Sequence, residues 1–139
     1  LGYNLRMTDI AAAIGVEQLR KLPEYNRRRI ANAKYLSENI RNQAFTLPSV
    51  EDGCVHVFNQ YTVRHPRRDW VVEALRNSGI GCGIYYPVPI HKQNYYVSLG
   101  YVGKYPIAEK AAEQVMSLPV HPKLTEKDLE YIVDTLNRL

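Results

Sequence analysis

Apolar residues recur at helical spacing along much of this chain, and the points where that rhythm stops divide it into elements. Ala11 to Leu22 is rich in strong helix formers, and Thr8 can cap the stretch with its hydroxyl. Pro23, which lacks an N–H and crowds the preceding turn, is expected to interrupt it with a kink or a fresh start, so that Thr8 to Leu22 forms one helix and a second follows. From Glu24 onward, Tyr25 or Asn26, Ile30, Ala33, Leu36 and Ile40 predict an amphipathic helix to about Asn42. Gln43 to Gly53, with Pro48 and Asp52, reads as a loop.

The period then changes to two. Val55 to Arg64 alternates, with Val55, Val57, Tyr61 and Val63 on one face and His56, Phe58, Gln60, Thr62 and Arg64 on the other, which predicts a strand. His65-Pro66-Arg67-Arg68 breaks it, and Asp69 is expected to cap a helix that turns Val71, Val72 and Leu75 inward and ends at Gly79. Ile80 to Tyr86 reads as a second strand whose glycines mark a bulge or a close backbone approach. Pro87 to Tyr105 has no clean period and predicts a long ordered loop or broken helix. The six tyrosines from Tyr85 to Tyr105 argue that it lines something.

Pro106 suits a first helical position, with Ile107, Ala108, Ala111, Ala112 and Val115 as a packing stripe. Met116 to Pro122 predicts a short extended edge strand, and Thr125 caps a last helix buried along Leu129, Ile132, Val133, Leu136 and Leu139.

Composition sets bounds on this outline. A chain of 139 residues can hold one core, and no apolar run approaches the roughly 20 residues of a membrane span. Cys54 and Cys82 lie in no C-x-x-C pattern and read as intracellular thiols. The formal charge of +4 changes the picture little, because Arg27-Arg28-Arg29 is the only basic run and lies in a helical stretch with Glu24 and Glu38. That run reads first as a solvated helix face, with contact to the phosphates of a ligand or to nucleic acid as alternatives. No leader is visible at Leu1, and the chain reads as an excised piece. Motifs alone stop at a soluble α/β domain, with no nucleophile triad, metal spacing or phosphate loop.

The opening Gly2-Tyr3-Asn4-Leu5-Arg6-Met7-Thr8-Asp9, with Ala12-Ala13-Ile14 and Gln18-Leu19 after it, resembles a segment of the DegT/DnrJ/StrS sugar aminotransferases. Further similar pieces follow in order: Tyr61-Thr62-Val63-Arg64, Arg68-Asp69, Gly79-Ile80, Tyr86-Pro87-Val88-Pro89-Ile90-His91-Lys92-Gln93, Pro106-Ile107-Ala108-Glu109 and Leu118-Pro119-Val120-His121-Pro122. Their ordered succession covers nearly the whole chain.

The resemblance implies an α/β (α+β) fold. It would be the small C-terminal domain of a fold-type I, aspartate aminotransferase-like enzyme, with long N-terminal helices packed on a small, mainly antiparallel sheet. Residues 1–22 would be a linker helix from a large domain and 23–139 the small domain. The implied activity uses pyridoxal 5'-phosphate (PLP) to move an amino group from glutamate to a nucleotide-linked keto-sugar, in a cytoplasmic homodimer.

The Schiff-base lysine would belong to the large domain, so none of this chain's lysines is assigned to it, no catalytic residue or metal ligand is expected, and the piece alone is expected to be inactive. Asn4 matches the asparagine that reaches the PLP phosphate; an Asx-type turn is its bland alternative. Arg6 would face an anion or hold the helix to the large domain. Tyr86 and His91 match a substrate-binding pair near the sugar, with ordinary packing as the alternative. His56, His65 and His121 read as structural, and Trp70 as an anchor. Rival readings are a PLP-dependent sugar dehydratase of the same family and a non-enzymatic binding or regulatory domain.

Overall fold

The computed structural model describes residues 6–101 and 103–139. The expected turn at Gly2-Tyr3-Asn4, and Asn4 itself, lie outside the described residues. The chain opens on α1 (Asp9–Asn39), a single helix of 31 residues with Pro23 inside it, so the expected break at Pro23 is corrected. Proline removes one backbone hydrogen bond and crowds one turn, a cost of ~3 kcal/mol that a helix of this length can absorb. Ion pairs support the exposed face on both sides of it: Arg20 with Glu17, Arg27 and Arg28 with Glu24, Lys34 with Glu38. Thr8 is the N-cap, its Oγ1 accepting from the Ala11 N–H as expected.

The core begins only in the second half of α1, where Asn32, Ala33 and Leu36 are buried. It is completed by β1 (Tyr61–Arg64), α2 (Arg68–Asn77), β2 (Val115–Leu118) and α5 (Glu126–Arg138). Strands β1 and β2 pair antiparallel, Tyr61 opposite Leu118 and Val63 opposite Met116, and all four side chains are buried. The alternate positions Thr62 and Ser117 join hydroxyls at 2.9 Å. The Tyr61 ring is fully buried and its hydroxyl bonds Ser37 at 2.8 Å, which satisfies the polar tip; burial pushes its pKa up.

The predicted strand from Val55 shrinks to its last four residues. Phe58 adopts φ +48°, its N–H bonds His56 Nδ1 at 2.8 Å, and the backbone turns before the ladder starts. Phe58 is therefore buried while Val55 is 84% exposed, the reverse of the alternation. Ile80 to Tyr86 forms no strand either. Only Gly83 pairs, exchanging backbone bonds with Ser117 at 2.7 and 3.1 Å. On the other edge Thr46 pairs with Arg64, so single bridges extend the two-stranded sheet on both sides.

Asp69 does not cap α2; Arg67 occupies that position without a side-chain bond, and Asp69 pairs with Arg68. Gly79 does end the helix, at φ +74°, with Ile80 N–H bonding Leu75 O and Gly79 N–H bonding Arg76 O. The buried Arg68 guanidinium donates to Ala112 O and Val115 O, each at 3.0 Å, and so fixes the junction where α4 (Pro106–Gln114) runs directly into β2. Within α4 only Ala112 is buried; Ile107, expected in the packing stripe, is 86% exposed.

The last helix matches expectation. Thr125 and Asp128 form a reciprocal capping box, and Leu129, Ile132, Val133 and Leu136 are buried. At its far end Asn137 accepts from the Arg41 and Asn42 N–H groups and donates to Asn39 O, tying α5 to the end of α1.

Candidate functional site

The segment predicted as a loop or broken helix is built from short pieces: a 3-10 turn at Ile90–Lys92 and α3 (Asn94–Ser98), followed by the turn at Gly100. With no long element to bury them, its aromatic rings pack on one another. Tyr96 stands edge-on to Tyr95 (5.4 Å between centroids) and to Tyr101 (5.8 Å), and His91 to Tyr105 (4.8 Å). Ile90, His91, Tyr96, Tyr101 and Tyr105 line an open pocket of about 360 Å³. Flat apolar faces with an imidazole among them suit a ring that also carries hydroxyls.

The first turn of α4 anchors this pocket. Glu109 Oε1 accepts from the Tyr105 N–H at 3.0 Å and lies 3.1 Å from His91 Nε2, while Lys92 Nζ donates to Oε2 at 2.5 Å. The ammonium of Lys92, the Tyr105 N–H and then the imidazole hold the Glu109 carboxyl down to about 2. The glutamate is therefore a carboxylate at any ordinary pH.

A larger cleft of about 690 Å³ opens beside β2. Arg29, Asn59, Gln60, Tyr85, Ser117 and His121 are among the side chains lining it. Arg29 is the one member of the basic run that leaves the solvated face: Arg27 and Arg28 bond Glu24, whereas Arg29 reaches the Phe58 and Asn59 carbonyls through long 3.5 Å contacts. The Tyr85 ring folds over Gly83, where a Cβ would lie 2.6 Å from it and would oblige the half-exposed ring to move. Burial pushes the Cys82 thiol up, so it sits in this wall as a protonated, weakly polar group.

The structure places His91 in the tyrosine-lined pocket, but Tyr86 is 73% exposed, stands edge-on to Tyr85 at 5.8 Å, and does not line that pocket. Arg6 is exposed, and Asn4 lies outside the described residues. Trp70 is partly exposed, with the Arg67 guanidinium 4.3 Å above its ring. Sequence reasoning missed Glu109 and the ring contacts of Tyr96 with Tyr101 and of Tyr105 with His91. The available signal was the spacing of Glu109 one turn after Tyr105, behind a proline that starts a helix. No lysine lines either cleft, and no set of three metal-ligating side chains occurs among the described residues. No helix of the described residues is long and apolar enough to cross a membrane.

Comparison with known proteins agrees with this architecture. The model of the DegT/DnrJ/EryC1/StrS aminotransferase family matches residues 1–137. A pleiotropic regulatory protein of Geobacillus stearothermophilus is 39% identical over 140 residues, covering 98% of this chain and 38% of that protein. A UDP-N-acetyl-3-dehydro-alpha-D-glucosamine 3-aminotransferase of Acidithiobacillus ferrooxidans is 36% identical, covering 99% of this chain and 37% of its own length. Among solved structures, S. venezuelae DesV, crystallised in complex with a ketimine intermediate, superposes with TM-score 0.90 at 33% identity, covering 99% of this chain and 38% of DesV. The chain thus spans between a third and two-fifths of the length of these relatives. Its helices and small antiparallel sheet correspond to the C-terminal part of fold-type I sugar aminotransferases, the expected fold class.

Proposed function

Because this chain belongs to the DegT/DnrJ/EryC1/StrS aminotransferase family, we propose that it is the small-domain portion of an enzyme that transfers an amino group from glutamate to a nucleotide-linked keto-sugar. The observation that carries this reading is the family match over residues 1–137, joined to relatives named for amination of nucleotide sugars. In this reading residues 1–22 link the small domain to a large one, and two copies of the whole protein act together. The apolar side chains of Met7, Ile10, Ile14 and Leu19, all exposed, are what a covering domain would bury.

The family depends on PLP, which when bound supplies the electron sink for amino transfer. The described residues do not form a cradle for it: neither cleft holds a lysine to bond its aldehyde. The chain's role is accordingly to bind and orient. His91 and the tyrosines beside it offer a sugar ring a flat wall and hydrogen bonds, Arg29 offers a cation beside the larger cleft, and Asn4 would donate to the cofactor's phosphate. None of these groups carries the proton transfer of the reaction, so the portion by itself is inactive.

The test is made on the protein expressed from its complete reading frame, supplied with PLP, glutamate and a panel of nucleotide keto-sugars. The expected result is 2-oxoglutarate formed in step with an amino sugar identified by mass spectrometry. Loss of a sugar hydroxyl without nitrogen transfer would instead favour a dehydratase. The regulatory name of the Geobacillus relative supports a second reading, a partner-binding regulatory protein. Absence of any reaction with any keto-sugar would put that reading first.

A further inference from the structure

The histidines of this chain use their ring nitrogens differently. His56 and His65 each spend Nδ1 locally, accepting from the N–H two residues on, Phe58 at 2.8 Å and Arg67 at 3.0 Å. In His91 it is Nε2 that is engaged, 3.1 Å from Glu109 Oε1. An ionised carboxylate has no proton to give, so this contact requires the hydrogen on Nε2. In the neutral ring Nδ1 of His91 then keeps its lone pair and has no partner among the described residues. It is not a buried orphan either, since no buried side-chain nitrogen or oxygen lacks a bond there. It is therefore reached by solvent, on a residue that lines the tyrosine pocket.

We propose that Glu109 is a positioning residue: it holds the His91 imidazole as the Nε2–H tautomer, so that Nδ1 accepts a hydrogen bond from a substrate hydroxyl in the tyrosine-lined pocket. The proposal rests on the reading of His91 as a substrate-side residue.

Three features make the hold firm. Glu109 is itself tied at both oxygens, by the Tyr105 N–H on Oε1 and by Lys92 on Oε2, so it cannot rotate away from the ring without losing both. The imidazole is packed edge-on against Tyr105, 4.8 Å away, which limits its own rotation. The His91 side chain is only 14% exposed, so water competes poorly for Nε2. A hydrogen bond to an ionised acceptor favours the bonded tautomer by roughly tenfold or more. Lys92 serves by keeping Glu109 in place, and its removal leaves the carboxylate still able to accept.

The test combines ring-nitrogen NMR of His91 with steady-state kinetics of the whole enzyme. In the wild type, His91 is expected as Nε2–H. Glu109→Leu removes the acceptor and is expected to populate the Nδ1–H form and to raise KM for the nucleotide sugar about tenfold, with kcat within about threefold. Glu109→Gln keeps a carbonyl oxygen for both Nε2–H and the Tyr105 N–H, and should restore the tautomer and most of the KM. Lys92→Met should leave the tautomer as in the wild type.

Nδ1–H in the wild type overturns the proposal, even where Glu109→Leu fails to fold. So does a tautomer or KM indifferent to Glu109→Leu, or a shift produced equally by Lys92→Met. The NMR arm contains no substrate, so a wild type that aminates no sugar overturns the proposed function without touching the tautomer assignment.

Discussion

The two halves of α1 contain comparable apolar residues and treat them oppositely. In the second half Ala33 and Leu36 are fully buried, whereas in the first Ile10 is 77% exposed and Ile14 and Leu19 are largely so. Both halves have good helix formers and ion pairs between exposed side chains. Helical character is therefore locally determined, while burial depends on what else the chain supplies. In the proposed enzyme, the large apolar side chains displayed along this rod are the surface that the large domain would cover.

The largest effect that separates the halves is a cavity. Leu36→Ala should destabilise by about 2–5 kcal/mol in denaturant unfolding, because its side chain is wholly enclosed. Ile10→Ala in the same chain should change stability by less than about 0.5 kcal/mol. Equal losses at both sites would mean that the outer half is packed after all.

Next comes Arg68, whose burial is tolerable because Asp69 and two carbonyls answer its charge. Arg68→Met should cost about 2–3 kcal/mol by leaving the Ala112 and Val115 carbonyls without their donor. The loss should appear in amide exchange at the α4–β2 junction and spare the first half of α1.

Caps sharpen the contrast at a smaller scale. Thr125→Ala removes the side-chain arm of the capping box on a packed helix, leaving the backbone N–H of residue 125 to the Asp128 carboxylate, and should lower global stability by about 1 kcal/mol. Thr8→Ala removes the same kind of bond at the unpacked end, so it should fray the first turn with almost no change in the global midpoint.

The smallest effect is a pH dependence at His65, a buried ring set against Phe45 at 4.8 Å. Burial holds its pKa below the usual 6.5, so the unfolded chain binds the proton more readily than the folded one. Its contribution is fully present above the unfolded value and is lost as pH falls toward the lower folded value. His65→Gln should flatten that part of the stability profile.

Legibility in the sequence followed the same division. The end of α2 at Gly79, the start of α4 at Pro106 and the whole of α5 were readable, because a cap, a left-handed glycine or a proline decides each locally. The extent of the first strand was not: His56 bonding the Phe58 N–H makes a turn that no apolar pattern reports. Pro23 misleads for a related reason, since its missing hydrogen bond is one among the many that hold a helix of 31 residues. In the tyrosine-lined pocket, His91 is a residue that the resemblance names, whereas Glu109 reaches it across 18 positions of chain, a distance that no short motif spans.

A rod anchored at one end is also a lever. From Ile30, where its anchorage begins, back to Asp9 the helix extends about 30 Å, at roughly 1.5 Å per residue. A tilt of about 10° at the anchored end therefore carries the far tip through roughly 5 Å, several times the play that side-chain packing allows. In the proposed enzyme, a large domain that held Ile10 and Ile14 would set the angle of the core packed on the other end of the beam.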